Sequence, residues 1–224
     1  MLRWAASVWR GNDVFRSRGW RRIFGCVSGE RSPGDGKASA PFVENSFAKP
    51  ACSSYRGGGV KGLDFPDRHL ALAAEGWLEL QDPDEAAREL ERISPSGRRH
   101  PSVLEVRWRV CAGRRQWPEA LEVARELTRV APEQPEGWIH QSYTLHELRR
   151  TDEAWDELLR VVDRFPNESI IPYNLACYAC QRGDLDIARQ WLEQAVRLRS
   201  RDEIRALASS DPDLAPLRDY VASL

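Results

Sequence analysis

Residues 169–202 read SIIPYNLACYACQRGDLDIARQWLEQAVRLRSRD, and this stretch decides the fold. It holds two runs of helical periodicity separated by Gly183 and Asp184. The second run sets Ala188, Leu192 and Ala195 on one face of a helix, at steps of four and three. Thirty-four residues before Ala188 stands Ala154, and the same step leads back to Ala120 and Ala86. Four residues beyond each alanine come Leu90, Ala124, Leu158 and Leu192, and seven beyond come Ile93, Leu127, Val161 and Ala195. A constant period of this length, filled by helix-forming residues, marks stacked helix-turn-helix units. The alanine belongs where two helix axes come closest, because it is small and does not break the helix.

The period divides the chain into units at 67–100, 101–134, 135–168 and 169–202. Prolines open two units (Pro101, Pro135) and close two (Pro132, Pro166). First helices are predicted near 68–80, 102–112, 136–148 and 170–181, and second helices near 84–94, 118–130, 152–164 and 185–198. Gly113 and Gly183 suit a left-handed residue after a first helix. Pro83 and Pro118 suit a first helical turn, and Thr151 before Asp152 and Glu153 reads as an N-cap.

Unit three, with Trp138, Ala154, Leu158 and Pro166, and unit four, with Leu175, Ala176, Ala188, Leu192 and Ala195, resemble the tetratricopeptide repeat family. The resemblance spans about 67–200 and implies an all-α, right-handed α-α superhelix of four repeats. Departures are Trp108 where a small residue is usual, Arg107 and Gln141 where leucine is usual, and Arg98 in place of a closing proline. Trp108 is expected to pry its helices apart or to be accommodated by Ala124. Residues 172–198 followed by 209–220 are similar to a module that ends many bacterial arrays of this family. Terminal repeats need a polar outer face, so residues 201–224 are expected to form a cap, with Leu214, Leu217 and Tyr220 covering unit four.

Charge sets the repeats apart from what precedes them. Residues 1–66 carry eleven Lys and Arg against five Asp and Glu, whereas 67–224 carry twenty-two against twenty-nine. All three lysines lie in the first part, and a boundary falls near Asp67. Residues 25–66 are rich in Gly, Ser and Pro without sustained periodicity, which predicts disorder. Residues 1–24 hold Trp4, Trp9, Trp20 and six arginines. Three readings of this segment stay open. Residues 1–59 can be an over-long start assignment, since the glycine run at 57–59 precedes Val60; intact mass of the natural product would decide. The alternatives are an Arg-rich targeting segment and a basic, aromatic arm for RNA or membrane surfaces. The sequence has no apolar run of membrane-spanning length, and five scattered cysteines favour a reducing, cytoplasmic setting over a disulfide scaffold.

The family resemblance implies that first helices line a concave groove. Its groove-facing slots fall on Ala71, Glu75, Glu105, Arg109, Ile139, Tyr143, His146, Tyr173, Asn174 and Cys177. That mixture of aromatic and charged groups suits a bound peptide or helix; the plain alternative is a solvated surface. One subset of the family grips a C-terminal carboxylate through lysine and asparagine. The matching slots here are Ala71, Glu75, Val106, Glu136 and His140, and the array has no lysine, so lysine-based chaperone-tail binding is not expected.

Catalytic motifs are lacking. Gly34-Asp35-Gly36-Lys37 misses the phosphate-loop spacing, His146-Glu147 has no second histidine, and no Gly-x-Ser-x-Gly occurs. Paired acids at 84–85 and 152–153 fall at helix starts, where the helix dipole accounts for them. Cys177 and Cys180 form a CxxC on one predicted helix. A redox pair needs an exposed thiol, and zinc needs two further ligands, for which His140 and His146 are the neighbouring choices. The alternative is that both cysteines are small core residues. An acidic array also argues against nucleic acid. The sequence thus points to a non-catalytic scaffold or adaptor without cofactor or metal, holding a protein or peptide. The rivals are a thiol or metal protein working through Cys177 and Cys180, and a structural subunit docking through its repeat edges.

Overall fold

The computed structural model describes residues 62–224. The expected basic, disordered segment, with its three readings, lies outside the described residues as far as Lys61.

Eight α-helices form four antiparallel pairs: α1 (Phe65–Glu79) with α2 (Pro83–Glu91), α3 (Pro101–Gly113) with α4 (Trp117–Val130), α5 (Pro135–Glu147) with α6 (Thr151–Leu159), and α7 (Ile170–Arg182) with α8 (Leu185–Leu198). Consecutive pairs stack, each first helix lying beside the next, so the architecture is an all-α solenoid. Ala86, Ala120, Ala154 and Ala188 are fully buried. Each sits where its second helix meets the first helix of its pair. Pro83, Pro101 and Pro135 occupy the first position of their helices, where a missing N–H costs no hydrogen bond.

The turns inside the pairs obey the same period. Among the described residues, Gln81, Arg115, Arg149 and Gly183 have positive φ, at 65°, 57°, 64° and 86°. They are spaced thirty-four apart, and three of the four accept the cost of a left-handed residue that is not glycine. Gly113, expected in this role, is instead the last residue of α3. A Cβ there would stand 3.1 Å from Cβ of Pro83, so close approach of two pairs is what favours glycine at 113. Thr151 is also not a cap. It is the first residue of α6, and its Oγ1 pairs with Nδ1 of His146 at 3.0 Å.

The second helices of pairs one and three end earlier than their periodicity predicts. α6 stops at Leu159 and tightens into a 3-10 turn over Val162–Arg164, whereas α4, with Pro132 at the equivalent position, continues to Val130. α2 stops at Glu91 without a closing proline. There Arg98 donates from Nε to the carbonyl of Ile93 (2.9 Å) and from Nη2 to that of Glu91 (2.8 Å), satisfying helix-end carbonyls. Asp67, 7% exposed, holds the same loop by accepting from the backbone N–H of Ser94 at 2.9 Å.

Trp108 does not pry its helices apart. It lies 3% exposed in a cluster with Ala124 and reaches into the next pair, where its Nε1 donates to Oγ1 of Thr144 at 2.9 Å. Between α4 and α5 the approach is equally tight: a Cβ on Gly137 would lie 2.8 Å from the backbone nitrogen of Thr128. Backbone cannot yield as a side chain tip can. Gly137→Ala is expected to destabilise the chain by about 1–3 kcal/mol, read as a lowered midpoint in urea unfolding, even though alanine is the better helix former.

After α8 the chain turns into α9 (Arg201–Ala208), a 3-10 segment (Pro212–Leu217) and α10 (Arg218–Ser223). Leu214 and Leu217 are 1% and 2% exposed within the largest core cluster, together with Leu192 and Tyr178. Tyr220 is half-buried against that cluster.

Candidate functional site

The first helices α1, α3, α5 and α7 supply the groove-facing slots, and the structure splits those residues into two groups. Toward the C-terminal end, Tyr173, Cys177 and His146 are 2%, 4% and 7% exposed. What covers them is the chain's own residues 211–217. Tyr173 Oη donates to Oδ2 of Asp211 at 2.7 Å, and Cys177 Sγ lies 3.6 Å from the same oxygen. His146 Nε2 meets Oδ2 of Asp213 at 3.1 Å, and Gln181 Nε2 donates to the carbonyl of Asp213 at 3.1 Å. With Leu214 and Leu217 anchored in the core, this segment is packed structure: exposing two buried leucines costs about 1.5–3 kcal/mol each. A partner therefore does not reach Tyr173, Cys177 or His146 while it is seated. Ile139, 8% exposed, belongs to the core as well. Nothing in the local sequence pattern shows that Asp211 and Asp213 anchor across the first helices.

Toward the N-terminal end, Glu75, Glu105, Arg109, Glu136 and Tyr143 stay partly exposed, as does Asn174 on α7. These come from successive first helices and feel one another. Glu105 is pushed up to about 7, first by burial and then by Glu136 and Glu75, with Arg109 opposing. Glu75 is raised by burial, again opposed by Arg109. Glu75 and Glu105 thus share Arg109, and Glu136 adds a third carboxylate that acts on Glu105. Oε2 of Glu136 is buried and accepts no hydrogen bond within the described residues. Beneath them His140, 1% exposed, stacks on Trp108 at 3.7 Å and 10° between ring planes. Burial, assisted by Arg109, lowers its pKa to about 3, so it stays neutral. Tyr143 closes one side, edge-on to Trp108 and Trp117 at 6.1 and 6.0 Å, and donates to Oε1 of Glu147 at 2.7 Å. Glu136 and Trp117 are not among the predicted groove residues. Glu136 stood in view as a slot that fails the carboxylate clamp, and its acidity was the usable signal.

The remaining repeat positions tie pairs together. Trp138 Nε1 donates to the carbonyl of Pro132 at 3.0 Å, and Nη2 of Arg164, two residues before Pro166, donates to the same oxygen. Cys177 and Cys180 are buried free thiols. Burial, then Asp211, pushes Cys177 well above the ordinary thiol range, and burial with Asp213 raises Cys180. Nucleophilic and metal-binding cysteine is thiolate, which this setting disfavours. Among the described residues no three His, Cys, Asp or Glu side chains converge to hold a metal. No helix among them is long and apolar enough to cross a membrane.

No protein-family model and no curated protein matches the sequence. Solved structures do match in shape. A thermophilic TPR protein in Thermus thermophilus superposes with a TM-score of 0.60 at 21% identity, over 70% of this chain and 87% of that one. MamA from residue 41 to its end, from Desulfovibrio magneticus RS-1, superposes with a TM-score of 0.54 at 16% identity, over 72% and 92%. The described residues have the tetratricopeptide repeat fold.

Proposed function

We propose that this chain is a non-catalytic scaffold holding a protein or peptide in the open, N-terminal half of its concave face. The observation that carries the reading is the acidic stretch across α1, α3 and α5. Glu75, Glu105 and Glu136 outnumber Arg109, and a buried oxygen of Glu136 has no donor within the described residues. A lysine or arginine from an extended or helical peptide supplies both the missing charge and the missing hydrogen bonds. Tyr143 and Trp117 offer aromatic surface beside it. Asn174 marks the far limit of this stretch, because residues 211–217 fill what lies beyond. The same acidity disfavours nucleic acid, and buried, protonated thiols speak against redox or metal work by Cys177 and Cys180. Free cysteines agree with a reducing, cytoplasmic setting.

Paired peptide arrays test this. Arginine- and lysine-bearing peptides are expected to bind the full chain, and acidic peptides of equal length are not. Glu136→Arg should weaken binding by about tenfold or more, the scale of one lost charge-assisted hydrogen bond. Equal binding of basic peptides to the wild type and to Glu136→Arg would count against the groove.

A further inference from the structure

The two ends of the solenoid differ. At the C-terminal end, residues 201–223 cover α7 and α8 with Ile204, Leu214, Leu217 and Val221 buried beneath. At the other end stand most of the large apolar side chains left in water among the described residues: Phe65 (82% exposed), Leu72 (55%) and Trp77 (36%) on α1, and Leu80 (72%) just after it. Trp77 stands apart, about 120° round the helix from Phe65, and the others lie together. The buried residues of α1 are Asp67, Ala71 and Ala74. At about 100° per residue, Phe65, Leu72 and Gly76 fall on the opposite face within about 40° of one another, and Leu80 follows at the helix end. His69, exposed and stacked on Phe65 at 6.4 Å between ring centres, lies between Phe65 and Leu72 on this face, so the stripe is apolar and aromatic, and such a surface marks a contact.

Gly76 is a second, independent sign. It sits inside α1, where glycine is the poorest choice after proline. A Cβ added there meets nothing within 4 Å, so no contact inside the chain calls for glycine. What its absence provides is a flat place in the stripe where another helix backbone can come close.

Charge indicates which helix. Arg68 and Glu79 are both exposed and make no ion pair within the described residues. They are eleven residues apart, three helical turns, and so share one flank of the stripe at opposite ends. When a helix pairs antiparallel with its own copy across a two-fold axis, each flank meets itself reversed. Arg68 of one copy then faces Glu79 of the other, twice. That register is centred between residues 73 and 74, so Leu72 of each copy lies beside Gly76 of the other, and Phe65 stands within about two residues, about 3 Å along the axis, of Leu80.

We propose that α1 is a self-association edge, through which two copies of this chain pair antiparallel about an axis between residues 73 and 74. One helix per partner is a small contact against the usual ~1,600 Å² of a stable interface, so the dimer forms reversibly with concentration. This edge is separate from the groove and does not depend on what the groove binds.

Sedimentation equilibrium of the full chain over roughly 1–300 µM reads the proposal directly, a range that brackets weak complexes. Mass should rise from monomer to dimer. Leu72→Glu should raise the dissociation constant about tenfold or more, with circular dichroism unchanged because the side chain is exposed. Arg68→Glu should weaken pairing as well, and adding Glu79→Arg to it should restore pairing. A chain that stays monomeric throughout overturns the proposal, including the case in which residues 1–61 cover the stripe. So does a dimer indifferent to Leu72→Glu, or a double charge swap no better than the single one.

Discussion

Replacing Trp108 with alanine is expected to remove about 3–5 kcal/mol of stability, much of what a domain of this size holds. The side chain is 3% exposed, its indole N–H is bonded to Thr144, and His140 stacks on it at 3.7 Å. Truncation takes away the largest wedge between pairs two and three, and α3 and α5 cannot close the gap because Gly137 already packs against the backbone at Thr128. Trp108→Phe keeps most of the volume and loses the hydrogen bond, so about 1 kcal/mol is expected. Urea unfolding of the two variants measures both. A second readout separates this packing role from general weakening. Water admitted by Trp108→Ala should let the pKa of His140 climb from about 3 toward its ordinary value, as followed by NMR. A cost below about 1 kcal/mol for the alanine variant would show that the tryptophan is not a wedge between the pairs.

Glu105 and His140 are expected to push stability in opposite directions between about pH 4.5 and 6.5, each effect exposed by one substitution. Glu105 has a folded pKa of about 7, above its ordinary 4.5. Between those values the folded chain keeps a proton that the unfolded chain has released, so this carboxyl costs stability as pH rises through the window. At about 1.4 kcal/mol per unit the ceiling is about 3 kcal/mol, trimmed to about 2 by partial solvent exposure at the groove. His140 has a folded pKa of about 3, below its ordinary 6.5. Between these values the unfolded chain holds the extra proton, so stability is lost as pH falls below 6.5. The slopes have opposite signs and overlap from about 4.5 to 6.5. Glu105→Gln should therefore leave stability at pH 4 unchanged, raise it by about 2 kcal/mol at pH 8, and unmask a rise with pH. His140→Phe keeps the stack on Trp108 and should unmask a fall over the same window. Thermal or urea midpoints from pH 4 to 8 decide the matter. A Glu105→Gln variant that tracks the wild type at every pH would mean that Glu105 ionises normally.

Protonation of Glu105 also bears on the groove. If a basic side chain seats beside Glu105 and Glu136, binding favours the ionised carboxylate and releases a proton near neutrality. A basic peptide should then bind more tightly at pH 8 than at pH 6.

Much of the scaffold was legible because it is repetitive. Ala86, Ala120, Ala154 and Ala188 recur at one period, and a repeated small residue among leucines has a single physical use, close helix packing. The helix starts followed from prolines, whose geometry is local. Legibility failed where the same signal admits two structures. Gly113 served a turn and a close approach equally well on paper, and the position of Pro83 decided between them. Trp108 broke the repeat pattern, and only the facing pair, with Thr144 and His140, shows why it is tolerated.

The candidate groove was read less well for the same reason. Repeat slots name the residues that face inward, but not what else arrives there. His146 and Asp213 lie sixty-seven positions apart, and their contact depends on α9 turning the chain back over α7. Sequence alone determined the helices, their pairing and the small residues between them, since these depend on neighbours one turn or one unit away. Tertiary structure decided which first-helix residues the segment 211–217 covers, which tryptophan is a wedge, and which edge is left apolar. Those outcomes hang on contacts between distant segments, whose close approach no local periodicity records.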